Sequence, residues 1–132
     1  MIVQGEKVAK WVMEKCGTYS DKMTAIGYEK DGVIIAGTAF ENFNKNNMFG
    51  HQRIDKSPSR QYWYEVANYI FNYCDCKRFT ATIEQDNLKA ICLNKKIGFE
   101  IEATLKDAGR NGDLLIMVLW RSKCHMLNWG RK

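Results

Sequence analysis

An α/β fold is predicted from three stretches of the sequence. Arg78–Glu84, read RFTATIE, alternates with Phe79, Ala81 and Ile83 on one side and Arg78, Thr80, Thr82 and Glu84 on the other, the period of a strand. It runs through Gln85-Asp86-Asn87, a polar break with cap-type residues, into the helical stretch Leu88–Ile97, which Gly98 stops and Phe99 follows into a new strand. Trp63, Val66, Ala67, Ile70, Phe71 and Cys74 recur with helical period, and Lys30-Asp31-Gly32 joins two strand-like segments with a strong hairpin turn.

The remaining elements follow in order. Met1–Val3 reads as a stub of strand and Glu6–Cys16 as a helix with Val8, Trp11, Val12 and Cys16 on one face, ended by Gly17. Lys22–Glu29 and Val33–Phe40 are the hairpin strands, and the unbroken apolar run Val33–Ala36 predicts burial on both sides. Glu41–Asn47, read ENFNKNN, is a polar loop or an irregular strand end, and Met48–Ile54 is a strand interrupted by Gly50. Ser57-Pro58 fits an N-cap followed by proline at the first helical position, which opens the helix that runs to Cys74. Leu88, Ile91 and Cys92 form the stripe of the next helix, widened by Ala90, Leu93 and Ile97. Ile101–Leu105 and Leu114–Trp120 are strands joined by a polar loop with Gly109 and Asn111-Gly112, and Arg121–Lys132 is a basic tail without a firm element. The section Met48–Glu84 predicts a right-handed parallel crossover.

Composition bounds the rest. The 132 residues, 45% of them apolar with a single proline, suit one globular domain spanning residues 1–132 and do not suit a disordered chain. The net charge of +5 permits an anionic partner such as a phosphate-bearing small molecule, a nucleic acid or a membrane surface, and selects none of them. The five cysteines are odd in number, Cys74-Asp75-Cys76 has the wrong spacing for a metal or redox pair, and all are read as reduced thiols of a cytosolic protein. Neither a secretory h-region nor a run long enough to span a membrane is present, so a cytoplasmic location is expected.

The stretch NLKAICLNKKIGF, Asn87–Phe99, resembles the second half of the GNAT (Gcn5-related) N-acetyltransferases. That half runs Asn, two residues, Ala, three residues, Tyr, one residue, Lys, one residue, Gly-Phe. Asn87, Ala90, Lys96, Gly98 and Phe99 stand in register, and Asn94 holds the tyrosine's place. The element order extends the resemblance over nearly the whole chain, with the N-terminal part shortened. Gly37–Phe43, the run Gly98–Glu102, and Asp107 through Gly112-Asp113 to Trp120-Arg121 and Cys124 are similar to small GNAT-like proteins of phages and prophages. The resemblance implies a mixed twisted sheet of about six strands with helices on both faces, which the pattern permits.

It also implies acetyl-CoA as co-substrate and an amine, on a small molecule or a protein, as acceptor. In this family pantetheine pairs with an exposed strand edge, and pyrophosphate sits on the start of the long helix, where unsatisfied N–H groups and the helix dipole favour an anion. The glycine-rich signature usual there is missing from Asp55–Arg60. Lys56, Ser57, Ser59 and Arg60 offer two cations and two hydroxyls instead, or else Ser57 only caps and the cations are solvated. Asn87 contacts the cofactor or, as favoured, caps its helix. Asn94 cannot release a proton but can hydrogen-bond a thiol or a pantetheine carbonyl; otherwise it is an exposed polar residue. Glu41, His51, Asp55 and Glu84 are the candidate bases, with His51 and Glu41 preferred, and a water relay needs none of them. The expected activity is N-acetyl transfer, and a homodimer is compatible with it. The rival is a non-catalytic GNAT-fold protein, a phage virion or host-interaction component that has lost CoA binding. Nucleic-acid binding through the basic tail ranks last, because no reading motif accompanies the charge.

Overall fold

A computed structural model of the chain describes residues 1–130. Arg131 and Lys132, the end of the expected basic tail, lie outside the described residues. The elements are β1 (Ile2–Gln4), α1 (Glu6–Cys16), β2 (Thr24–Lys30), β3 (Val33–Glu41), β4 (Phe49–Ile54), α2 (Arg60–Ala67), β5 (Arg78–Glu84), α3 (Leu88–Ile97), β6 (Glu100–Leu105) and β7 (Leu114–Trp120). All seven strands join one sheet in the order β1-β2-β3-β4-β5-β7-β6, one more than expected because the three-residue β1 pairs fully with β2. Every neighbouring pair is antiparallel except β4 and β5, which bear out the predicted parallel arrangement.

Helices cover both faces, each over its own core. α1 lies over β2, β3 and β4, burying Val8, Ala9, Val12 and Met13 against Ala25, Ile34 and Ala39. Gly37 permits the close approach, since a Cβ there would stand 2.8 Å from a Val12 methyl. α2 and α3 cover the opposite face, where Val66, Ala67, Ile70 and Phe71 meet Phe40, Phe79, Ile97, Met117 and Leu119. Arg53 ties α1 to the end of β4. Its guanidinium stacks 3.9 Å over Trp11, donates to the Trp11 carbonyl (2.8 Å) and pairs with both oxygens of Asp55 (3.0 Å each).

Four expectations need correction. Ser59, not Ser57, caps α2. Its backbone is extended (φ −77°, ψ 164°) and its Oγ accepts from Tyr62 N–H at 3.4 Å, so the helix opens at Arg60 and Pro58 precedes the cap. That start places Tyr62 in line with Val66 and Ile70, all three buried. The long helix is not α-helical to Cys74. From Asn68 to Tyr73 it widens into a π-helical stretch, with Cys74 N–H bonded to the Tyr69 carbonyl at 2.9 Å.

On α3 the buried stripe is rotated. Leu88 and Cys92 are exposed, whereas Asn94 and Ile97 are buried with Ala90, Ile91 and Leu93 beside them. Ala90, Asn94 and Ile97 stand four and three residues apart and so share the face that packs toward Met117, while Asn87 caps the helix as expected, its Oδ1 accepting from Ala90 N–H (3.2 Å). The C-terminal segment is not a solvated tail. After β7 it forms two short 3-10 turns, Arg121–Lys123 and His125–Asn128, and buries Cys124 and Met126 in the α2/α3 core. Arg121 donates to the Phe71 carbonyl and to Asn72 Oδ1 (2.9 Å), and His125 Nδ1 meets the Lys96 carbonyl (2.9 Å). Arg121 and His125 thus help dock the segment.

Gly98 is where the segment returns. It has φ +125°, and a Cβ on it would collide with the Lys123 carbonyl. Gly98→Ala therefore combines backbone strain with a backbone clash and should cost about 2–4 kcal/mol in urea unfolding. Ser59→Ala removes only a cap and should cost about 1 kcal/mol.

Candidate active site

The site begins with how β4 meets β5. At their first residues the two strands are neighbours, through the pair Phe49↔Thr80 and a bond from Thr80 N–H to the Met48 carbonyl at 2.9 Å. No further pairing joins them among the described residues. On its other side β4 pairs with β3 throughout, and Asp55 N–H bonds to the Ile35 carbonyl (2.8 Å). An antiparallel ladder alternates between residues that bond across and residues that face away. That register points Phe49, His51 and Arg53 backbone groups at β3 and turns those of Gly50, Gln52 and Ile54 toward β5, into the gap. The Phe79 ring lies against Gly50 at the base of the divergence.

A cavity of about 730 Å³ occupies the gap and continues between α2 and α3. Gln52, Ala81 and Ile83 wall it from the two strands, Leu93, Asn94 and Met126 from the helices and C-terminal segment, and Lys56, Ser57 and Lys89 stand around it. On the α1 side it reaches Lys15 and Cys16. Cys16 donates its thiol to the Gln52 carbonyl at 3.4 Å, on the strand edge that β5 leaves unpaired.

Five of the eight expected site residues line this cavity: His51, Asn94, Lys56, Ser57 and Asn87. Asn87 does so while capping α3. Glu41 lies just outside and is bonded to His51 Nε2 through its Oε2, both side chains partly buried. A carboxylate can only accept, so this contact puts the imidazole proton on Nε2 and the lone pair on Nδ1. Two residues are turned elsewhere. Ser59 is the α2 cap, and Arg60 donates to the Trp129 carbonyl (3.3 Å) with its guanidinium 5.8 Å from that ring. Asn94 is not the exposed polar residue that was one alternative. It is 8% exposed, with Nδ2 3.9 Å from Met117 Sδ. Of the other candidate bases, Asp55 is held by Arg53, and Glu84 accepts from Arg110 N–H at 2.8 Å.

Three features escaped the sequence reading. One is Cys16, expected only as a helix-stripe residue. The second is Met126, which brings the C-terminal segment to the cavity wall. The third is a buried polar trio: Thr38 Oγ1 lies 2.6 Å from the Tyr62 hydroxyl and accepts from Gln52 Nε2 at 3.2 Å. A threonine inside the apolar run of β3 was the available signal.

No family model matches the chain, and no curated protein matches it. Solved structures do. The chain superimposes over 99% of its length, and 99% of the other chain, on a variant of spermidine N-acetyltransferase SpeG from Vibrio cholerae, with TM-score 0.75 at 14% identity. SpeG in complex with CoA and spermine matches 78% of this chain and 68% of its own, with TM-score 0.65 at 17% identity. The Campylobacter jejuni N-acetyltransferase PseH in complex with acetyl coenzyme A matches 77% and 70%, with TM-score 0.60 at 18% identity. The fold is thus the mixed-sheet fold of the GNAT N-acetyltransferases.

The thiols test the geometry of the gap. Burial pushes the Cys16 thiol up, against the pull of the Arg53 guanidinium, whereas Cys92 is exposed on α3. Iodoacetamide at pH 8 should label Cys92 about tenfold faster than Cys16, read by peptide mass spectrometry. Equal rates would place Cys16 outside the gap.

Proposed function

We propose that the protein is an acetyl-CoA-dependent N-acetyltransferase. The observation that carries this reading is the β4 edge at Gly50, Gln52 and Ile54, whose backbone groups face a 730 Å³ cavity ending at Lys56 and Ser57. An extended amide chain such as pantetheine can add to that edge as a strand would. The cavity lies within the range that encloses a substrate of this kind. At its end Lys56, the Ser57 hydroxyl and the first N–H groups of α2 offer a phosphate a cation, a donor and the positive end of a helix dipole. The donor set fits the CoA pyrophosphate without the usual glycines. The solved relatives that carry CoA or acetyl-CoA share this fold, which supports the same co-substrate here.

The chemistry requires few groups. The acceptor amine attacks the thioester carbonyl carbon, a C–N bond forms, the C–S bond breaks, and the amine proton must leave. His51 is the base in this reading: Glu41 holds Nε2–H, leaving Nδ1 to take that proton, and the carboxylate stabilises the imidazolium that results. The thiolate takes a proton as it departs. Asn94 donates a hydrogen bond to the sulfur or a pantetheine carbonyl from its buried position, and the proton reaches the thiolate through water, which is restored by the proton that the imidazolium gives up, since an amide cannot supply one. Polyamines are the first acceptors to assay, because spermine is bound in the solved SpeG complex. The competing reading is a GNAT-fold protein without CoA binding. It draws on the missing glycines, and on Arg60 being engaged by Trp129.

Calorimetric titration with acetyl-CoA separates the two. The enzyme reading expects micromolar binding by the wild type, weakened about tenfold by Lys56→Ala and little by Arg60→Ala. His51→Ala should leave that affinity unchanged while lowering kcat at least about 10²-fold with an accepted amine. No binding at millimolar acetyl-CoA would decide for the non-catalytic protein.

A further inference from the structure

We propose that the buried trio of Tyr62, Thr38 and Gln52 is a positioning device: it fixes the start of α2 relative to the open edge of β4, so that one CoA molecule engages both at once. The inference rests on the acetyltransferase reading and goes beyond it, because none of the three is a group that the transfer reaction itself requires.

Tyr62 is fully buried and sits in the first turn of α2, with its own N–H taken up by the Ser59 cap. Its ring reaches through the core to the sheet, where the hydroxyl meets Thr38 Oγ1 on β3 at 2.6 Å. Thr38 is 2% exposed and pairs in register with Gln52 on β4. The Gln52 side chain donates to the same Thr38 oxygen at 3.2 Å. Gln52 is also the residue whose backbone carbonyl and N–H face the gap. The trio therefore links the two parts of the site that a CoA molecule would span in that reading: the start of α2, whose preceding turn Lys56-Ser57 lines the cavity, and the strand edge that would pair with pantetheine.

Apolar packing alone does not call for this arrangement. Phenylalanine would fill the ring's volume, and the hydroxyl must be desolvated to lie where it does. What the hydroxyl adds is direction, because a hydrogen bond fixes distance and angle where dispersion contacts let a helix slide. Burial pushes the Tyr62 hydroxyl well above the ordinary tyrosine range, against the pull of its bonds to Thr38 and Gln52, so it stays neutral. That fits a fixed dipole and does not fit a proton donor. Two sites joined by a ligand of fixed reach bind it more tightly than either fragment, and the gain depends on their separation matching that reach.

The experiment compares the whole ligand with its two halves. Acetyl-CoA, acetyl-pantetheine and 3′-phospho-ADP are titrated into the wild type, Tyr62→Phe, Thr38→Val and Thr38→Ser. Loss of positioning should weaken acetyl-CoA about tenfold in Tyr62→Phe and Thr38→Val while both fragments stay within about twofold of wild type. Thr38→Ser keeps the hydroxyl and should recover most of the affinity that Thr38→Val loses. Fragments weakened by the same factor as acetyl-CoA would mean a merely structural role and overturn the inference, as would acetyl-CoA affinity unchanged in both variants. If Tyr62→Phe does not fold, Thr38→Val breaks the same bond from the strand side and is read in the same way. Wild type that binds no acetyl-CoA overturns the acetyltransferase reading itself, and this inference falls with it; the wild-type titration tells that failure from the other.

Discussion

Two adjacent parallel strands that pair once and then separate leave a row of backbone donors and acceptors inside the protein. Buried N–H and C=O groups without partners cost on the order of a hydrogen bond each, so such a gap persists only if the surroundings hold it open or something fills it. Here the surroundings do both. α1 and α2 press on opposite faces of β4, Arg53 fixes its far end to α1, and Phe79 lies against Gly50 where the strands begin to diverge. One carbonyl of the open edge, that of Gln52, is met by the Cys16 thiol, a weak donor. A stronger partner displaces a weak one at small cost, which under the proposed acetyltransferase reading suits an edge that is covered when empty and free when a substrate amide arrives.

The two cores divide the work. On the α1 face a tight seat over Gly37 makes β1 to β4 one rigid half. On the other face α2, α3 and the C-terminal segment form a second body around Phe79, Ile97 and Met117. The halves of the sheet share little direct pairing, because the β4/β5 ladder ends at once. Their alignment is carried by what crosses between them: the base of the gap, the helix α2 itself, and the polar bond from Tyr62 to Thr38. The C-terminal segment braces the second body from within, from Lys96 at the end of α3 to Arg60 at the start of α2. A site at the boundary of two packed bodies is sensitive to any contact that sets their spacing, including contacts far from the reacting atoms.

The parts legible in the sequence were those written locally. Asp31-Gly32 and the bounds of the Asn87-to-Phe99 unit are where the sequence placed them, each holding its structure within a few residues, and the helical period from Trp63 holds through Ala67 before the turns widen. Cap chemistry was harder. Ser57 and Ser59 both satisfy it locally, and the choice falls to Ser59 because only that start buries Tyr62 with Val66 and Ile70. The tail was misread for the related reason that Met126 and Cys124 find partners only after α2 and α3 are in place. Of the candidate site, the cap Asn87 was legible, since that helix start is written locally, whereas the place of Lys56 and Ser57 on the cavity depends on the turn that precedes the Ser59 cap. The His51–Glu41 contact was present only as two separate candidates. It depends on the β3/β4 register, where Ala39 faces His51 and Glu41 lies one step along the same face.

Asn94 shows what this site asks of its residues. In the family pattern that position carries a tyrosine, and a surface asparagine would be an uninformative replacement. Here the side chain is buried on the cavity wall, with only a sulfur 3.9 Å away. A buried primary amide has two donors and an acceptor to satisfy, and a thioether sulfur is a poor substitute for water. The position therefore favours a ligand that brings oxygen or sulfur acceptors to the α3 side of the gap. A thioester has both, and its departing thiolate would be a better acceptor still, because hydrogen bonds to charged groups are the stronger ones. The amide cannot hand over a proton, but it can lower the energy of the sulfur as negative charge develops, and water in the cavity can complete the transfer. Under the acetyltransferase reading we propose, the replacement would change where the proton comes from and leave the stabilisation in place.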